Sequence, residues 1–94
     1  MGIFYTNITL FGPNQEQVSK YLSRIKRTAH VSPTIRNFTV VFDRETEDQD
    51  PEILTSLTTS LTKEFKCTGL ATLVHDGDIF LYWLYKKGKL LEAV

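Results

Sequence analysis

The residues of this chain whose types and spacing could do chemistry fall in two places. Positions 75–78 read His-Asp-Gly-Asp, and six carboxylates lie between Asp43 and Glu52. His75 with Asp76 or Asp78 has the makings of a general base, or of two ligands for a metal ion. No third ligand or nucleophile stands near them in sequence, and Asp-Gly is the favoured dipeptide of a two-residue hairpin. A turn accounts for them. The acidic run offers the oxygen ligands that Ca²⁺ and Mg²⁺ take. Counted from Asp43, an EF-hand loop needs Gly at its sixth position and Glu at its twelfth, where the chain has Asp48 and Leu54. A solvated loop feeding a helix N-terminus, where negative charge is favoured, explains the run instead.

Cys67 is expected at a helix C-terminus, where the dipole raises a thiol pKa and disfavours a nucleophile. His30 sits beside the end of the first helix, a structural position for an imidazole. The five glycines are scattered and form no phosphate-binding loop. Catalytic residues, metal and cofactor are therefore all expected to be absent, and the chain reads as a non-enzyme.

The elements that would position any site follow from periodicity. "IFYTNITLF", residues 3–11, is β-branched and aromatic and predicts a strand, with Phe4, Ile8 and Leu10 on one face and Tyr5, Asn7 and Thr9 on the other. After Gly12-Pro13, Asn14 and Gln17 have capping-box spacing, and a helix is predicted to about Arg27 with Val18, Tyr21, Leu22 and Ile25 on its apolar stripe. A short extended piece, "AHVSPT", leads to "NFTVVFD", residues 37–43. Alternation predicts Phe38, Val40 and Phe42 inward and Thr39 outward, with Val41 breaking the outward set. Asp50 as N-cap and Pro51 at the first turn open a second helix to about Lys66, pointing Leu54, Leu57, Leu61 and Phe65 at the core. Its remaining positions are rich in Ser and Thr, poor helix formers that make its outer face a candidate contact surface.

"GLATLVH" and "DIFLYWLY" flank Asp76-Gly77 as a hairpin. A two-residue turn there predicts Val74 opposite Ile79, Thr72 opposite Leu81 and Leu70 opposite Trp83. Lys87-Gly88 turns the chain again into a short last strand, "LLEAV". The order predicts one α+β domain, residues 1–94, as a two-layer sandwich with two helices on one face of a mostly antiparallel sheet. A ferredoxin-like βαββαβ arrangement with an extra C-terminal strand fits it best.

Composition bounds the function. With 41% hydrophobic residues the chain is a folded domain, and eleven basic residues balance eleven acidic ones. That balance argues against a general nucleic-acid binder or a protein of anionic membrane surfaces. Lys20, Arg24, Lys26 and Arg27 are expected on the helical layer, away from the sheet's free face, and no aromatic signature of sheet-based RNA binders is present. No apolar run is long enough to span a bilayer. One cysteine excludes an internal disulfide, and no basic residue precedes the apolar N-terminal stretch as in a signal peptide. The expected location is the cytoplasm.

"GIFYTNITLFGP", "VSPTIRNFTVVFD" and "LVHDGDIFLYWLY" together resemble a group of small uncharacterised bacterial proteins. The resemblance implies a bacterial, cytoplasmic setting and brings no activity, cofactor or catalytic residue.

Seven apolar or aromatic residues run unbroken from Ile79 to Tyr85, so both faces of that strand want cover. Ile79, Leu81 and Trp83 are expected under the helices, and Leu73, Phe80, Tyr82 and Leu84 on the free face near a sheet edge. The expected function is an interaction or regulatory module, its partner a second copy of the chain or another protein, through those four residues. The alternative is a small-ligand-binding domain with Tyr5, Thr9, Thr39 and Tyr82 around a pocket on the free face.

Overall fold

The computed structural model describes residues 4–27, 29–43, 51–75 and 79–93, with Phe4, Tyr5, Asp43, Pro51, Val74, His75, Ile79 and Phe80 described by backbone alone. The elements run β1 (Phe4–Phe11), α1 (Gln15–Arg24), β2 (Ala29–Val31), β3 (Phe38–Asp43), α2 (Pro51–Glu64), β4 (Thr68–His75), β5 (Ile79–Lys86) and β6 (Lys89–Ala93). The six strands form one sheet in the order β2-β3-β1-β4-β5-β6. Every neighbouring pair is antiparallel. The α+β sandwich of two helices and an antiparallel sheet is thus present.

One face of the sheet carries the core. Ile8 and Leu10 of β1, Val41 of β3, and Ala71 and Leu73 of β4 pack with Val18 and Leu22 of α1 and Leu54, Leu57 and Leu61 of α2. Two faces were misassigned by the sequence pattern. In β3 it is Thr39 and Val41 that are fully buried, while Phe38 is 48% and Phe42 36% exposed. The pairing Leu10↔Thr39 and Ile8↔Val41 carries this parity across from β1. The Thr39 hydroxyl then donates to the Pro13 carbonyl at 2.9 Å and lies 2.9 Å from the Thr34 hydroxyl, which makes its burial tolerable.

In the β4–β5 hairpin, His75 faces Ile79 and Val74 faces Phe80, one residue away from the expected register. A slip of one residue turns a side chain to the other face. Leu73, expected on the free face, therefore pairs with Leu81 and lies in the core at 6% exposure. Asp76 and Gly77 themselves lie outside the described residues, as do Asp50 and the acidic stretch 44–50. The last strand also corrects an expectation. Because β6 pairs along β5, β5 is interior to the sheet rather than at its edge.

The capping box of α1 is complete. Gln17 N–H donates to Asn14 Oδ1 and Asn14 N–H to Gln17 Oε1, both at 2.9 Å. Each helix ends with a lysine in left-handed backbone, Lys26 at φ 60° and Lys66 at φ 50°. The bonds Arg27 N–H to Leu22 O and Cys67 N–H to Thr62 O close Schellman motifs around them. On α2, Thr58 and Thr62 are buried rather than outward, each hydroxyl donating to the carbonyl four residues back. No described helix is long and apolar enough to cross a membrane.

Candidate functional site

Two helices cover only one face of a sheet, so the other face is where the fold leaves side chains open. Alternation from the buried Leu10, Thr39, Ala71 and Tyr85 puts Phe11, Phe38, Thr68, Leu70, Thr72, Tyr82, Leu84 and Lys86 on that free face. At its centre the Thr72 hydroxyl donates to Asn7 Oδ1 at 2.6 Å. Beside β6 the Tyr82 hydroxyl donates to Glu92 Oε1 at 3.1 Å, and this bond above all pushes the phenol pKa up.

At one end of the sheet a single register row crosses four neighbouring pairings: Phe38 faces Phe11, Phe11 faces Thr68, Thr68 faces Lys86, and Lys86 faces Lys89. Paired residues share a face, so two aromatic rings and two lysines stand in line. Phe11 is 47% exposed and packs edge-on against Phe38, ring centroids 5.1 Å apart. His30 and Phe42 form a second, looser pair at 6.1 Å on the same face.

The same end is closed by two tight hairpins. Ile35 and Phe38 exchange backbone hydrogen bonds of 2.9 Å around Arg36-Asn37, and Lys86 pairs with Lys89 around Lys87-Gly88. The φ values are 50° and 69° in the first turn and 52° and 84° in the second, the left-handed pair a type I′ turn requires. Gly12 N–H bonds Asn37 O and Lys87 N–H bonds Cys67 O, each at 2.9 Å, tying these turns to the strands between them. Arg36, Lys66, Lys86, Lys87 and Lys89 are thereby gathered at one end, all exposed. None of them forms an ion pair among the described residues. Sequence reasoning missed this cluster because its members are spread over 54 positions and meet only through the strand order.

Eight of the eleven acidic residues fall within 43–52 and 76–78 of the sequence, mostly outside the described residues. Of the other three, Glu16 pairs with Lys20, Glu64 with Arg24, and Glu92 accepts from Tyr82.

The residues singled out from sequence do not all assemble. Tyr82 and Leu84 lie on the free face, half-buried, and Thr9 beside them. Leu73 and Thr39 face the helices, so the ligand pocket drawn around Tyr5, Thr9, Thr39 and Tyr82 is not formed as expected. The side chains of Tyr5 and Phe80 lie outside the described residues, although Phe80 is placed opposite Val74 by its backbone. Cys67 is buried, and burial pushes its thiol pKa up against a smaller opposing pull from its backbone N–H. Such a thiol is a poor nucleophile at neutral pH. No three His, Cys, Asp or Glu side chains among the described residues are grouped to hold a metal ion. A cleft of about 370 Å³ in the helical layer is lined by Arg27, Glu52, Ile53, Ser56, Leu57 and Ser60, with acid, base and hydroxyl mixed on its walls. Compared with known protein families, with curated proteins and with solved structures, the chain matches none.

Proposed function

We propose that the protein is a non-enzymatic interaction module that acts as a homodimer, two copies joining along β6. The observation that carries this is the sheet edge. All five residues of β6 are exposed, with Leu90 at 51% and Leu91 at 57%. An edge strand presents unpaired N–H and C=O groups, and neighbouring leucines add apolar area to that template. Tyr85, which pairs with Leu90, faces the helices, and the half-buried Leu81 and Trp83 continue the apolar surface inward toward α2. The opposite edge, β2, has only three residues. A two-fold axis through the sheet near Leu91 would bring both leucine pairs together.

The interface thus moves from β5, whose edge is taken, to β6. We read β1 to β4 with the two helices as ferredoxin-like, with a C-terminal extension of the sheet. The order β2-β3-β1-β4, with β3 inserted between β2 and β1, supports that reading. The single buried cysteine supports a reducing, cytoplasmic setting.

Light scattering on the wild type at rising concentration tests the dimer. Substituting Leu90 and Leu91 by Lys should give a folded monomer, whereas Leu70→Thr, on the free face away from β6, should leave the dimer intact. A wild type that stays monomeric at high micromolar concentration sinks the proposal.

A further inference from the structure

The zero net charge of the chain conceals a local gathering of cations, and this basic end is built at a conformational cost. Among the described residues five non-glycine residues have positive φ, and four of them are cations: Lys26, Arg36, Lys66 and Lys87. Left-handed backbone disfavours any residue with a β-carbon, and Gly or Asn normally stands at helix C′ positions and in type I′ turns. Three of these four cations, Arg36, Lys66 and Lys87, lie at the one end of the sheet that also carries Lys86 and Lys89. Residues that break a local rule mark places where something other than stability is served. Here the common property is positive charge, and the exposed Phe11–Phe38 pair lies in the same register row.

We propose that the basic end of the free face binds a single strand of nucleic acid, with bases stacking on Phe11 and Phe38 and phosphates held by Arg36, Lys86, Lys87 and Lys89. Neighbouring strands are about 4.8 Å apart, so Lys86 stands about 10 Å from Phe11 along the row, within reach of the backbone of a strand whose base lies on the ring. A sheet face with exposed aromatics takes unstacked bases, and a rim of unpaired cations takes phosphates without reading sequence. A duplex hides its bases and offers the rings nothing. The balanced composition argues against a chain basic throughout; it does not bear on a local cluster of exposed cations. This inference goes beyond the proposed dimer, since pairing along β6 uses its backbone edge and leaves the free face open.

Fluorescence anisotropy with the full chain and a labelled twelve-nucleotide oligothymidylate tests the proposal. Saturable binding is expected, weakening with salt at a log–log slope of about −2 to −3, as about three or four neutralised phosphates give on single strands. Phe11→Ala and Phe38→Ala should each weaken binding about fivefold or more. Replacing Lys86 and Lys89 by Gln should lower the slope by about 1.4. Lys87→Asn keeps a type I′ turn, so it should weaken binding while the melting temperature holds or rises, which a merely structural lysine would not do. The proposal is overturned by absence of saturable binding at low salt, or by equal affinity for a duplex of the same length. It is equally overturned if binding is indifferent to both phenylalanine substitutions. A twelve-residue oligoglutamate that competes fully with the oligonucleotide would point to an acidic protein segment instead, and preference for phosphatidylserine vesicles to a membrane; each overturns it. A monomeric wild type would end the dimer reading and leave this assay standing.

Discussion

Thr62 lies so close above Gly69 that a β-carbon on the glycine would stand 2.5 Å from Thr62 Cγ2, and 3.1 Å from Leu10 Cδ2. The methyl of α2 is thus seated on bare backbone of β4, while its hydroxyl donates to Thr58 O and accepts from Gly88 N–H at 3.1 Å. One threonine sets both the helix–sheet distance and the position of the β5–β6 turn. Gly69→Ala overpacks this contact and should cost about 1–3 kcal/mol in urea unfolding. Thr62→Ser in the Gly69→Ala background removes the clashing methyl and keeps the hydroxyl, so it should recover part of the loss. An additive double variant would show that the two residues do not press on one another.

That contact also shows where the sequence was legible and where it was not. The strong local signals read correctly: the Asn14/Gln17 box, the Lys87-Gly88 turn, the apolar stripe of Leu54, Leu57 and Leu61. Burial of Thr58 and Thr62 was hidden because the hydroxyl is satisfied within the helix, which lets a residue that scans as surface pack inward. The segment "FTVVFD" carries apolar residues on both parities, and the bulkier set was assigned to the core. Its phenylalanines instead line the free face, because pairing with β1 sets the parity and Thr39 has Pro13 and Thr34 to bond. Leu73 changed faces through a hairpin one residue longer than Asp-Gly alone implies. The candidate site was legible only as separate turns, since nothing local to Arg36 says that Lys66 and Lys87 are its neighbours.

The left-handed lysines give a direct test of the cost of the basic end. Lys66 occupies the C′ position of α2, with Lys66 N–H bonded to Lys63 O and Cys67 N–H to Thr62 O. Lys66→Gly removes the β-carbon from a backbone that costs an ordinary residue about 1–2 kcal/mol, offset by the greater entropy a glycine loses. A net gain of about 1 kcal/mol or somewhat less is expected by chemical denaturation. Lys87→Asn should gain a few tenths of a kcal/mol by the same reasoning. A loss in either case would mean that the lysine side chain makes a stabilising contact of its own.

Asn14 closes the N-terminus of α1 with both halves of its capping box formed. Asn14→Ala leaves the Gln17 N–H without its acceptor and should cost about 1 kcal/mol, within a range of about 0.5–2. Gln17→Ala removes only the reciprocal bond to an exposed N–H and should cost less. Equal losses would place the weight on the glutamine, contrary to the geometry.

The Tyr82–Glu92 bond spans β5 and β6 on the free face, so its titration reports whether the edge strand is held in place. The carboxylate accepts the phenolic proton at 3.1 Å, and an ionised Tyr82 would confront it with a second negative charge. The hydrogen bond is the larger cause, and both raise the phenol above its ordinary pKa. A raised pKa in the folded state means that the contact is present at neutral pH and is lost as pH rises through Tyr82's own ionisation, above the usual tyrosine range. Following tyrosinate absorbance with pH, Tyr82 should titrate above the usual tyrosine range, and Glu92→Ala should bring that transition down. If the transition does not move, β6 does not hold Glu92 against Tyr82 in solution, and the edge strand on which the dimer rests is not formed as described.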